Sequence, residues 1–431
     1  MFSHRLLGDG GLGMYDARGD VGGRVGGVEV GVLRALSPMY DAVIDEIDGR
    51  WIRIGEQWLA DFASCNYLGF DLDPEIIGAV EPALRRWGTH PSWSRLLGNP
   101  RPYLDIEERL TELLGAPDTL VLPTITHIHL TVLPALVGRG WVFVESRAHR
   151  TLYDGCRVAA GAGAHLERFP SGELEMLERR LRAAPASARK VICIDGVNSM
   201  TGNLPDLAAH LALARAYGAV LYVDDAHGFG VIGERSPTES CVYGVRGNSI
   251  VRHLSQGYDD LILVGGFSKA YSSLLAFVAC STPVKEHLKI AASPYVYSGP
   301  SPVASLATTL AGFDVNERRG DRLRTELYER TARVLKVVDE LGLDCNNRSG
   351  LPLLELPLSR SDDLQDVTTF LYQKGVYVTV AAYPIVPRSE IGFRIQLTAA
   401  HTDEQVDLLI EALRGLGDRF RHHDEEVDRA V

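Results

Sequence analysis

The sequence predicts an α/β chain: a large, mostly parallel sheet covered by helices on both faces, then a smaller α+β C-terminal domain. Three observations carry this. Apolar runs of strand length at 120–122, 141–144, 191–194 and 220–223 alternate with helical stretches at about 128–137, 151–160, 172–183 and 205–217. Such alternation marks a parallel sheet buried on both sides. Beyond about 303 the pattern changes to a long charge-dense helix, to about 341, followed by scattered strand-like pieces. With 431 residues the chain is too long for one small core and fits a large domain plus a smaller one.

Taken in order, residues 1–55 read as an N-terminal arm. Its start is rich in glycine and too poor in apolar residues to bury itself, so the arm is expected to be partly mobile. Residues 32–47 carry helix-like apolar spacing broken by Pro38. Residues 51–62 alternate around a Gly55-Glu56 turn, which predicts a short hairpin. The large domain is placed at 56–302, with early helices at about 74–88 and 103–114. The small domain is placed at 303–417, with strands at 353–356, 376–380 and 393–397 and a last helix at about 403–415. Residues 418–431 are a charged tail, expected to fray.

Hydrophobic residues make up 45% and charged residues 23%, the balance of a globular protein, and a net charge of −12 argues against nucleic acid or an anionic membrane as partner. Six cysteines without paired spacing read as reduced core residues of a cytoplasmic protein. No apolar run approaches the ~18 residues of a membrane-spanning helix, and no metal site is expected.

The chemistry centres on Val264-Gly-Gly-Phe-Ser-Lys269, an apolar run that ends in a tight turn carrying one amine. An amine withdrawn from water loses its proton more readily, and a neutral amine is what a carbonyl cofactor needs to form a Schiff base. In isolation the same lysine reads as a structural or solvated residue. Upstream, Ala219-Val-Leu-Tyr-Val-Asp224-Asp-Ala-His227 is a strand ending in two acids and a histidine. Asp224 could keep a pyridine nitrogen protonated and His227 could bind a ring hydroxyl, although the same residues also suit a helix cap. His149 lies between a strand and a helix and could stack on a ring or simply cap the helix. Thr124, Ile125 and Thr126 open a helix, where free N–H groups attract phosphate or where Thr124 serves as an ordinary cap.

These residues resemble the pyridoxal-phosphate enzymes of fold type I, with the aspartate aminotransferase-like architecture. Within them they resemble the α-oxoamine synthases, the group of aminooxononanoate synthase, serine palmitoyltransferase and ketobutyrate-glycine ligase. The resemblance runs from about Phe62 to Leu416. Ser64-Cys-Asn66-Tyr-Leu-Gly69 and Ser94-Arg95-Leu-Leu-Gly98 are similar to early family segments. Asp195-Gly-Val-Asn-Ser199-Met-Thr-Gly202 is similar to Glu-Gly-x-x-Ser-Met-x-Gly, and Asp224-Asp-Ala-His227-Gly-Phe-Gly-Val-Ile-Gly233 matches closely. Tyr383-Pro-Ile-Val-Pro387 and Arg394-Ile-Gln-Leu-Thr-Ala-Ala-His401 are similar to the C-terminal signature.

The resemblance implies pyridoxal 5'-phosphate bound to Lys269, with Asp224, His227, His149, Ser199, Thr124, Ile125, Thr126 and Ser298 around it. Lys269, Asp224, His149 and His227 are the implied catalytic residues. Arg394 would grip the amino-acid carboxylate. Asn66 and Arg95 are further substrate-binding candidates, Arg95 reading equally as a structural ion pair. The implied reaction condenses an amino acid with an acyl thioester of coenzyme A or a carrier protein. Carbon dioxide is lost and an α-amino ketone forms, in a homodimer whose segment 295–301 completes the partner's site.

This sequence departs from the family pattern at the phosphate helix, which reads Thr124-Ile-Thr-His-Ile-His129. It departs again at Gly266, where a threonine is usual, and at Ser298-Gly299, where Ser-Thr is usual. Transamination and β- or γ-replacement stay open at this point, as does a non-catalytic partner subunit.

Overall fold

The structure, a computed structural model, describes residues 36–236, 241–383 and 386–428, with the side chains of 418–428 left aside. The larger sheet has seven strands: β4 (Asp118–Leu122), β5 (Trp141–Glu145), β6 (His165–Phe169), β7 (Lys190–Asp195), β8 (Ala219–Asp224), β9 (Leu261–Gly266) and β10 (Ala276–Cys280). Their order is β4-β10-β9-β8-β7-β5-β6, parallel throughout except for β10, which runs antiparallel to both neighbours. Strands β7 to β10 are apolar runs with nearly every residue buried, as expected with helices on both faces. The edge strand β6 was not foreseen. Its sequence His-Leu-Glu-Arg-Phe is only partly buried, so it carries no apolar run.

Every expected helix of the larger domain forms. The helix Ile125–Val137 follows β4, and Arg150–Gly161 follows β5. The two pack closely because of Gly155, where a Cβ would lie 2.4 Å from the carbonyl oxygen of His129.

The smaller sheet is ordered β1-β2-β3-β12-β13-β11, from β1 (Glu46–Asp48), β2 (Trp51–Ile54), β3 (Gln57–Phe62), β11 (Leu353–Pro357), β12 (Val376–Ala381) and β13 (Gly392–Gln396). The hairpin expected at 51–62 therefore forms, but β3 pairs in parallel with β12. A boundary between 55 and 56 would cut this hairpin, whose strands belong with the C-terminal sheet. The helix expected over 32–47 is not formed in its described part: residues 38–41 are a turn and Glu46–Asp48 is a strand, while 32–35 lie outside the described residues. The glycine-rich start also lies outside them.

The long helix expected after 302 forms, with one widened turn within it. Val303–Val315 and Asp321–Glu340 flank a wide turn at Asn316–Gly320, and the buried Arg324 bonds back to Asn316 and to the Gly230 carbonyl. The last helix runs Asp403–Asp428, well past 415 and through most of the tail expected to fray; beyond Gly417 nothing in the sequence terminates it. Among the described residues no helix is long and apolar enough to cross a membrane.

Candidate active site

In open α/β sheets, ligands gather beyond the carboxyl ends of the parallel strands. Here β7, β8 and β9 end at Asp195, Asp224 and Gly266, and the turn after Gly266 presents Lys269. That turn is stiffly built. Phe267 N–H donates to the Leu275 carbonyl at 2.9 Å, and Ser272 N–H to that of Lys269 at 3.0 Å. Beneath it, Phe229, Phe267, Tyr271, Phe277 and Phe313 form a buried aromatic cluster with centroids 4.8–5.7 Å apart. An amine on such a turn has little freedom to drift.

Lys269 lines a cavity of about 330 Å³ with Asp224, His227, His149 and Ser199. Thr124, Ile125 and Thr126 close one end of it. A second cavity of about 590 Å³ shares Lys269, His149, His227 and Ser199, and adds Arg394, Cys65 and residues of β12. The two are one cleft between the sheets. Burial holds the Lys269 amine below its ordinary value; Arg394 pushes the same way, while Cys65, Asp224 and Asp195 oppose.

Asp224 is buried at the end of β8. Burial pushes its carboxyl up, but His129, Lys269 and His149 outweigh this and bring it down to about 2. It is an anion kept as an anion. His227 is buried too, and burial holds its imidazole well below the usual range, so it is neutral. Its Nδ1 lies 2.7 Å from the hydroxyl of Tyr67, which burial keeps protonated. Tyr67 thus donates to Nδ1, and the His227 proton sits on Nε2.

His149 caps the helix Arg150–Gly161 through Nδ1, and it also lines the cleft; its backbone N–H donates to Asp195 Oδ1 at 2.9 Å. Thr124 likewise does both things expected of it, accepting from His127 N–H at 3.2 Å and lining the cavity. The next two N–H groups, of Ile125 and Thr126, belong to the first helical turn, whose donors have no partner within the helix. Arg394 reaches from β13 to the Ser199 carbonyl, and its Nε is buried with no hydrogen-bond partner.

Three candidates lie elsewhere. Asn66 donates to Asp71, which also forms a bidentate pair with Arg50, and Asn66 lines neither cavity. Arg95 is buried in a structural ion pair with Glu107 at 2.9 Å, between the rings of Tyr103 and Tyr295. That is the plainer of its two readings, and it makes Arg95 no part of the cleft. Ser298 bonds to the Gly299 carbonyl and lines neither cavity of this chain. Of the motif at 383–387, Pro384 and Ile385 lie outside the described residues.

Sequence reasoning missed Tyr67, His129 and Cys65. Tyr67 meets His227 across 160 residues of chain, and His129 meets Asp224 across 95, so no local pattern announces either pairing. The departure at Gly266 has a steric partner. A Cβ there would lie 2.8 Å from Ile125 Cδ1, the far end of a flexible side chain, so the usual threonine would require Ile125 to turn aside. The residues fit pyridoxal phosphate: an amine with lowered basicity, a permanent anion beyond it, a neutral imidazole donor, and open helix N–H groups where the phosphate would lie.

Residues 61–413 match the family described as aminotransferase class I and II. The chain is 34% identical to an 8-amino-7-oxononanoate synthase of Ectopseudomonas mendocina over 368 residues, 85% of this chain and 90% of that one. It is 36% identical to the synthase of the same name from Chromohalobacter salexigens, over 82% of this chain and 88% of that one. Among solved structures, the serine palmitoyltransferase of Sphingomonas wittichii superposes with a TM-score of 0.80 at 27% identity, covering 88% of this chain and 93% of that one. One from S. paucimobilis gives 0.82 at 22% identity, covering 90% and 95%, a likeness of fold. Similar to such synthases along most of its length, the chain belongs to the aminotransferase class I and II family and, within it, to the α-oxoamine synthases, pyridoxal-phosphate-dependent transferases that join an amino acid to an acyl thioester with loss of carbon dioxide and yield an α-amino ketone.

Proposed function

We propose that the amino acid is a small one, with alanine the first candidate. We further propose that the acyl group arrives as a coenzyme A or carrier-protein thioester, and that the enzyme works in the cytoplasm as a homodimer. The observation that carries the substrate reading is Arg394. Its guanidinium lines the same cleft as Lys269 and keeps an unpaired buried Nε, a ready partner for a carboxylate. Alanine is favoured by the relatives' name. An 8-amino-7-oxononanoate carries a methyl beside its amino carbon and a ketone on the other side, which is what alanine gives when its Cα bonds to a seven-carbon acyl group, the thiol departs and its carboxyl group is lost as carbon dioxide.

Pyridoxal phosphate supplies an aldehyde for the amino group and a protonated ring that draws electrons from Cα. The chain does the rest. Asp224, held ionised, favours the proton on the ring nitrogen. His227 would bind the ring oxygen, and His149 would cover a ring face. The first turn at Thr124–Thr126 would meet the phosphate with backbone N–H groups. Lys269, its basicity lowered, would take and return the Cα proton, while Arg394 would fix the carboxylate that leaves. Arg147, Arg150 and Arg168 line the outer cavity together with Glu145 and Glu390, a rim of mixed charge in which Arg147 pairs with Glu390 and Arg150 with Asp154.

The homodimer reading is supported by exposed apolar side chains, Trp93, Leu96, Leu97, Leu274 and Tyr297, of which Leu274 also lines the cofactor cavity. Leu96 N–H bonds to the Tyr295 carbonyl, linking this patch to the segment that would carry Ser298 into the partner's site. Size-exclusion chromatography showing an active monomer would refute it. The amino acid is tested by following deuterium uptake at Cα across a panel, by mass spectrometry. Uptake into alanine above the other amino acids is expected; uptake into none of the small amino acids would overturn the substrate reading.

A further inference from the structure

Asp224 has a partner that lies outside the cleft. His129, fully buried on the helix Ile125–Val137, places Nε2 2.9 Å from Asp224 Oδ2 and Nδ1 3.0 Å from the Tyr222 hydroxyl. Tyr222 and Asp224 are two apart on β8 and so share one face of that strand. The order of donors follows from chemistry. Burial keeps the Tyr222 phenol protonated. The ionised Asp224 can only accept, so Nε2–H of His129 donates to it, while Nδ1 at the other side of the ring meets the Tyr222 hydroxyl. The other oxygen, Oδ1, accepts from Ala226 N–H at 3.1 Å, so both oxygens are oriented by the protein.

Asp225 serves as an internal comparison. It is the next residue, it is equally withdrawn from water, and its Oδ2 accepts a backbone N–H from Ile250 in place of an imidazole. Burial pushes Asp225 up to about 8. At Asp224 burial acts in the same direction, and His129 leads the influences that reverse it.

We propose that the Tyr222–His129 pair is a positioning device that keeps Asp224 ionised and aimed, so that the ring nitrogen of the bound cofactor holds its proton. This rests on the reading of Asp224 as that nitrogen's partner. Neither His129 nor Tyr222 lines the cleft, so they act through Asp224 alone.

The test is ring-nitrogen NMR of holoenzyme reconstituted with [15N]pyridoxal phosphate, without substrate. The wild type should give the resonance of a protonated pyridine. His129→Phe should move it toward that of neutral pyridine, Tyr222→Phe should move it the same way by less, and His129→Gln, which keeps an N–H, should restore part of it. The kcat of His129→Phe should fall by about tenfold to a hundredfold with little change in amino-acid KM, the usual scale for a group that orients a site residue from behind. A protonated wild type with unmoved resonances in the variants overturns the relay; if His129→Phe does not fold, an unmoved Tyr222→Phe overturns it alone. A neutral-pyridine resonance in the wild type itself overturns the role of Asp224, and the relay with it.

Discussion

Lys269 owes its lowered basicity to place. The turn that carries it is pinned from below by aromatic rings, and burial lowers the basicity of its amine. Lys269→Ala should abolish the visible absorbance of lysine-bound cofactor, and retention of that band would refute the assignment. In the proposed reaction Arg394 holds the substrate carboxylate. Arg394→Lys keeps the charge but loses the forked geometry, so kcat/KM for the amino acid should drop by about 10- to 100-fold, the worth of about 1.5–3 kcal/mol for a hydrogen bond to a charged group. A steady-state comparison of the two enzymes checks it. Lys269, Asp224, His227 and His149 could be brought together from the sequence because each sits at a strand end or turn, whereas Arg394, inside β13, was named through the family resemblance alone; the structure places all five around one cleft. Tyr67 and His129 were not legible, since what makes them matter is a partner far away along the chain. Arg95 and Asn66 show the reverse. They stand in recognisable motifs, yet their side chains are consumed by ion pairs and hydrogen bonds away from the cleft.

Where the helix Ile125–Val137 meets the end of β9, two departures from the family pattern explain each other. Ile125 fills the space that a side chain at 266 would need. Gly266→Thr alone should therefore destabilise the protein by about 1 kcal/mol, the low end of the cost of overpacking, because the atom it meets is the flexible end of Ile125. Adding Ile125→Ala should recover most of it, as read by chemical denaturation of the single and double variants. Equal destabilisation in both would show that the two residues do not contend for one space. The strands β4, β5, β7, β8 and β9 were readable as continuous apolar runs, whereas β6 was hidden by its edge position. The hairpin was readable but not its allegiance: alternation at 51–62 predicts two strands and cannot tell which sheet β3 will join.

Across the molecule, buried titrating groups set a stability profile with two opposing limbs. His401 is buried, stacked on Phe62 at 4.3 Å, and donates from Nε2 to the Asp61 carbonyl. Burial lowers it from 6.5 to about 3. A histidine that resists protonation in the fold contributes stability above 6.5 that is lost as pH falls toward 3. Asp225, raised from 3.8 to about 8, has the opposite sign: its contribution is present below 3.8 and is lost as pH rises through 8. Urea unfolding between pH 4 and 9 should show both limbs. His401→Gln should flatten the acid limb and Asp225→Asn the alkaline one; slopes unchanged by these substitutions would contradict the account.

The central claim concerns the reaction carried out between the two sheets, and one measurement meets it most directly. Carboxyl-labelled alanine is incubated with the holoenzyme, with and without a seven-carbon dicarboxylic acyl-coenzyme A thioester, and released carbon dioxide is counted while the product is weighed by mass spectrometry. The account predicts release that depends on the thioester and matches the α-amino ketone formed, mole for mole. Keto acid without thioester dependence, or an eliminated fragment with the label still in the carboxylate, would contradict it.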